Sequence, residues 1–93
     1  MNKKRNRFEM IKDILEILQK NRQVKITHLI YKANLSSNSI KPYLEELTKN
    51  NLIEQVEINQ KRFFKITLKG NKFLQEFNKI KIFAESYGLE EEI

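Results

Sequence analysis

The sequence predicts a mainly α-helical chain carrying one small β-hairpin, and three observations support this. Apolar residues recur at helical spacing in three successive segments between residues 7 and 49. The period then falls to two across residues 52–58 and 62–67, on either side of a polar turn. Helical spacing returns from residue 68 and runs to Gly88. Ninety-three residues suit one domain with one core.

Each element has its own signals. Ile11, Ile14, Leu15 and Leu18 put one face on a helix over residues 7–20, widened by Met10 and Ile17. Asn21-Arg22-Gln23 breaks that pattern, and Val24-Lys25-Ile26 reads as a short β-like stretch. Thr27 is a suitable N-cap for a short helix ending near Ala33, with Leu29, Ile30 and Ala33 inward. Asn34-Leu35-Ser36 is a tight connection, in which Asn34 tolerates positive φ and Ser36 caps the next helix. That helix spans about 37–49 with Ile40, Tyr43, Leu44 and Leu47 on one face, and Asn50-Asn51 ends it. Pro42 lies inside it. Either the helix starts late with Ser39 as cap, or Pro42 bends its axis.

Val56 and Ile58 share one face of the first strand, with Gln55 and Glu57 on the other. Asn59-Gln60-Lys61 is the turn, and Phe64 and Ile66 face the core from the returning strand with Phe63 outward. Thr67 caps the last helix. Its residues Phe73, Phe77, Ile80, Ala84 and Tyr87 are spaced 4, 3, 4 and 3, the seam of a coiled coil. The same stripe also suits packing back onto the first helix through Met10 and Ile17. Gly70, early in this helix, points to close packing against another backbone.

The order helix, short strand, helix, tight turn, helix, hairpin, helix is that of a winged helix-turn-helix, here with an extended C-terminal dimerisation helix. In that arrangement the third helix enters the major groove of duplex DNA and the second braces it. The chain therefore divides into a basic disordered arm (1–6), a winged helix-turn-helix domain (7–67), a dimerisation helix (68–88) and an acidic tail (89–93).

Charge agrees with a nucleic-acid partner. The chain carries +6, but Glu85, Glu90, Glu91 and Glu92 hold four negative charges at its end, leaving residues 1–84 at +10. Candidate contacts on the third helix are Ser37, Asn38, Ser39, Lys41 and Lys49. Asn59, Gln60, Lys61 and Arg62 form the wing tip, suited to the backbone or the minor groove. Lys3, Lys4, Arg5 and Arg7 supply an arm able to enter a narrow minor groove. Each set also reads as ordinary solvated surface, and the third helix lacks arginine for guanine. Glu45 and Glu46 point to a different class, a winged-helix protein-interaction module, because carboxylates repel phosphates unless Glu45 accepts from a cytosine amino group.

Tyr31-Lys32-Ala33-Asn34-Leu35-Ser36, Tyr43-Leu44-Glu45-Glu46-Leu47, Asn51-Leu52-Ile53 and Phe64-Lys65-Ile66-Thr67-Leu68-Lys69-Gly70 with Phe73-Leu74 occur in one order. In this the sequence resembles the small archaeal winged-helix proteins, which include ten-kilodalton crenarchaeal chromatin dimers and related archaeal and viral regulators. The resemblance covers roughly residues 7–80. It implies a DNA-binding homodimer joined by its C-terminal helices, with Ser37, Asn38 and Lys41 on the recognition helix and Lys61 and Arg62 on the wing. Three departures stand out: Asn51 replaces a frequent Gly, Pro42 interrupts the recognition helix, and the last helix is short and ends in acid. The last implies a weaker or differently arranged dimer.

Other chemistries find no support. Without cysteine, disulfides and thiolate metal sites are excluded. His28 stands alone, and Gly70 and Gly88 cannot build a phosphate-cradling loop. The expectation is a non-enzymatic protein with no cofactor and no small-molecule substrate. No signal-peptide pattern or membrane span is apparent, which points to a cytoplasmic, nucleoid-associated protein.

Overall fold

Side-chain caps set most of the helix boundaries in the computed structural model, which describes residues 5–89. The elements are α1 (Arg7–Lys20), α2 (Ile26–Ala33), α3 (Ser37–Lys49), β1 (Ile53–Ile58), β2 (Lys61–Ile66) and α4 (Leu68–Ser86). Asn6 starts α1 with a capping box, its side chain accepting from the Glu9 N–H while Glu9 accepts from the Asn6 N–H. Ser36 accepts from the Ser39 N–H to start α3, and Thr67 accepts from the Gly70 N–H to start α4. Asn34, at φ 56°, and Asn51, at φ 63°, end α2 and α3 in the left-handed conformation that Asn tolerates.

Two local expectations change. Thr27 is not a cap but lies in the first turn of α2: the cap position falls two residues earlier, on an extended Lys25 that makes no side-chain cap bond. The reason lies in Val24, whose N–H and C=O pair with Phe64 of β2 at 2.9 and 2.8 Å, so the β-like stretch shrinks to this one bridge and the helix starts directly after it. The wing turn has two residues and not three. Asn59 and Gln60, at φ 52° and 67°, form a tight turn of the twist that suits a hairpin, and Lys61 already belongs to β2.

Pro42 stands in the second turn of α3. The late-start alternative is excluded, because the cap is Ser36. Since proline has no N–H, the Asn38 carbonyl loses its helical donor there and lies among exposed residues.

The core forms where the helical faces converge on the inner face of the hairpin. Ile11, Ile14, Leu15 and Leu18 of α1 meet Leu29 and Ala33 of α2, Ile40, Leu44 and Leu47 of α3, and Val24, Ile53, Phe64 and Leu74. The strands are antiparallel, pairing Ile53 with Ile66, Gln55 with Phe64 and Glu57 with Arg62. Because opposed residues share a face, these six lie on the side that carries Phe64. Val56 and Phe63 pair on the opposite face, half-buried. No polar side chain among the described residues is buried, so any binding chemistry lies at the surface. No helix of the described residues is long and apolar enough to cross a membrane.

A knot at Thr67 joins α3, the wing and α4. The Thr67 N–H donates to the Leu52 carbonyl at 3.1 Å, and its hydroxyl lies 2.6 Å from the Asn51 carbonyl oxygen. Lys69 donates to the Asn50 carbonyl at 2.8 Å. Gly70 is what lets α4 approach: a Cβ there would lie 2.2 Å from the Leu52 carbonyl oxygen and 2.6 Å from Ile66 Cγ1. Gly70→Ala is therefore expected to destabilise the fold by about 1–3 kcal/mol, as overpacking does. Thermal unfolding checks this, with about 4–8 °C lost per kcal/mol for a domain of this size.

Candidate nucleic-acid interface

α3 and the wing meet along an open groove. Residues 41, 45 and 49 repeat every four positions, which stacks Lys41, Glu45 and Lys49 on one stripe of α3. Gln55 and Arg62 approach from the Phe64 face of the hairpin, and Thr48 completes the polar lining over a floor of Ile26, Leu44 and Phe64. All six polar side chains belong to exposed residues.

The charges of the groove are unpaired, a state they share among the described residues with Arg22, Lys25, Lys32 and Lys72, but here three cations line one groove. Among the described residues Lys41, Glu45, Lys49, Gln55 and Arg62 have no side-chain hydrogen bond or ion pair. Charged groups elsewhere are often engaged within the chain: Lys65 with Glu54 at 3.8 Å, Lys12 with Glu16 at 3.7 Å, Lys79 with Glu76 at 3.4 Å, Arg7 with Glu46. Three cations and one carboxylate thus face solvent from two elements outside ion-pair distance of any partner, with Glu57 opposite Arg62 on the same face of the hairpin. Such a surface attracts a polyanion.

The other predicted contacts fall in different places. Ser37, Asn38 and Ser39 are exposed in the first turn of α3, with the Ser39 hydroxyl accepting from Ser36 at 2.9 Å. The N–H groups of Ser37 and Asn38 point out of the helix start, where a helix has no internal acceptors. Asn59 and Gln60 form the exposed wing turn. Lys61 and Arg62, grouped together in the sequence, separate: Arg62 turns to the groove while Lys61 pairs with Ile58 on the opposite face. Adjacent strand residues always point to opposite faces, and the register decides which. Gln55 and Thr48 were not anticipated. The place of Gln55 depends on the two-residue turn, which pairs it with Phe64; the expected three-residue turn would set Val56 there instead.

Arg5 and Arg7 do not form a free arm. Arg5 donates to Asp13 Oδ2 at 2.7 Å and to the Ala33 carbonyl at 2.7 Å, tying the chain before α1 to the end of α2. Arg7 pairs with Glu46 of α3. Both guanidiniums are drawn to the acidic and carbonyl groups that helix packing brings close, as charge-assisted bonds require. Lys3 and Lys4, and the acidic residues 90–92, lie outside the described residues.

The predicted α4 seam divides. Phe77 and Ala84 are buried within the chain and line a small cleft with Glu9 and Lys12 of α1. Ile80 and Tyr87 stay exposed at 52% and 71%, and Phe73 is half-buried. Phe83, 65% exposed, stacks obliquely on Tyr87 at 5.0 Å between ring centroids. The exposed strip is therefore Ile80, Phe83 and Tyr87, spaced 3 and 4, rotated from the predicted one toward Phe83. Phe8 of α1 extends it, lining an apolar groove with Phe73, Phe77 and Ile80. His28 is exposed, and no group of three or more His, Cys, Asp or Glu among the described residues is placed to hold a metal.

Three helices followed by a hairpin, with the third helix and the hairpin sharing a groove, define a winged helix-turn-helix domain. The chain belongs to that family, whose pattern matches residues 4–85. Among solved structures it is similar to Sso10a-2, a DNA-binding protein from Sulfolobus solfataricus, at 27% identity over 90% of each chain and a TM-score of 0.68. No curated protein matches it.

Arg5 should behave as a structural residue. Arg5→Ala is expected to lower stability by about 1 kcal/mol, the value of a part-exposed charge-assisted contact. The salt dependence of any duplex binding stays as in the parent, and melting together with a binding titration separates the two effects.

Proposed function

We propose that this chain is a non-enzymatic double-stranded DNA-binding protein, a transcriptional regulator or an architectural protein of the nucleoid. Support comes first from the groove itself, whose unpartnered Lys41, Lys49 and Arg62 converge from α3 and the wing. In this reading α3 lies in the major groove, the only one wide enough for a helix. Ser37, Asn38 and Ser39 meet a phosphate at the helix start, and Asn59, Gln60 and Lys61 reach the backbone or minor groove from the wing. The likeness to a DNA-binding protein of Sulfolobus solfataricus agrees. Affinity comes mainly from phosphate neutralisation.

The protein acts as a homodimer through α4. Ile80, Phe83 and Tyr87 leave an apolar strip exposed along the end of α4, beside half-buried Phe73. Its spacing suits helix-on-helix packing against a second copy.

Two measurements test this reading. Fluorescence anisotropy of a random-sequence duplex should show log affinity falling with log salt, with a slope of about −0.9 per phosphate contacted. The Lys41→Ala, Arg62→Ala double variant should make that slope shallower by about 1–2; salt-insensitive binding would contradict the mechanism. Sedimentation equilibrium should find a dimer that the Ile80→Glu, Phe83→Glu double variant converts to a folded monomer, because burying the introduced carboxylates is costly.

A further inference from the structure

Within the groove one group is of the wrong sign for a phosphate. Glu45 lies at the middle of the α3 stripe, four residues from Lys41 and four from Lys49, with Arg62 across from it and no partner of its own. Its neighbours keep the groove net positive, so a duplex still approaches, yet the carboxylate itself can only accept hydrogen bonds. Phosphates, guanine O6 and N7, and thymine O4 all present acceptors and repel it. Adenine offers an amino group next to the acceptor N7, whereas the cytosine edge offers its amino group alone.

Resting on the DNA-binding reading above, we propose that Glu45 is a specificity-determining residue. It selects duplex sites that present a cytosine amino group to the middle of α3 and disfavours all others. Lys41, Lys49 and Arg62 supply the sequence-independent attraction, and Glu45 subtracts from it wherever no cytosine stands. The protein then reads sequence without the arginine–guanine contacts that its recognition helix lacks.

The test is affinity selection from a randomised duplex pool, followed by sequencing, with the parent protein and with Glu45→Gln. The parent should enrich cytosine at one fixed position of each half-site, by about tenfold over the other bases. Glu45→Gln should lose that enrichment and move toward adenine, which glutamine bonds at N6 and N7. The variant should also bind the unselected pool more tightly than the parent, since a repulsive charge is gone. Glu45 is exposed, and an unchanged melting temperature confirms that the variant folds. A parent pool with flat base preference, or a variant that keeps the same cytosine, overturns the assignment while leaving DNA binding intact. A parent that retains no duplex at any salt concentration overturns both.

Discussion

The reciprocal pair of backbone hydrogen bonds between Val24 and Phe64 is the constraint on which the rest of the arrangement depends. A two-stranded hairpin is marginal on its own in water. Here β2 is held on one side by β1 and on the other by Val24, while Phe64 itself reaches into the core. That fixes the roll of the hairpin about its axis. Once Phe64 points inward, Arg62 and Gln55 must point the same way, toward α3, and Lys61 must point away. The groove is thus a consequence of where one phenylalanine is anchored.

The base of the wing is held by a different device. Thr67 gathers the chain leaving α3 and the chain entering α4, and Gly70 allows the two backbones to meet. Neither residue touches the groove. Both set the distance at which the groove forms, because the wing has no freedom to swing when its foot is bonded to Leu52 and its far strand to Val24. Local hydrogen bonds, an apolar core and a surface charge pattern are linked in that order.

Much of this was legible in the sequence because it rests on local rules. The caps at Ser36 and Thr67, the left-handed Asn34 and Asn51, the core faces of the first three helices and the close approach at Gly70 each depend on a few neighbouring residues. What was not legible depends on tertiary choices. A two-residue turn with Gln60 at positive φ has no strong local signal, so the sequence suggests a tip one residue too long. The spacing of the stripe on α4 favours a second copy as partner, while α1 also fits it. Only packing against α1 shows that Phe77 and Ala84 are used internally and that Phe83 joins the exposed strip. In the sequence Arg5 reads as part of a basic tail, because Asp13 and the Ala33 carbonyl are remote along the chain and adjacent only in space.

In the proposed function, α3 and the Phe64 face of the wing form one surface for duplex DNA. Titrating nitrogen-labelled protein with a short duplex and following each backbone amide by NMR tests it most directly. Shifts are expected to concentrate at residues 37–49, at Gln55 and at residues 59–62, with Lys41, Glu45 and Arg62 among the largest. Shifts confined to α4, or spread evenly over the lysines of the whole surface, would contradict it.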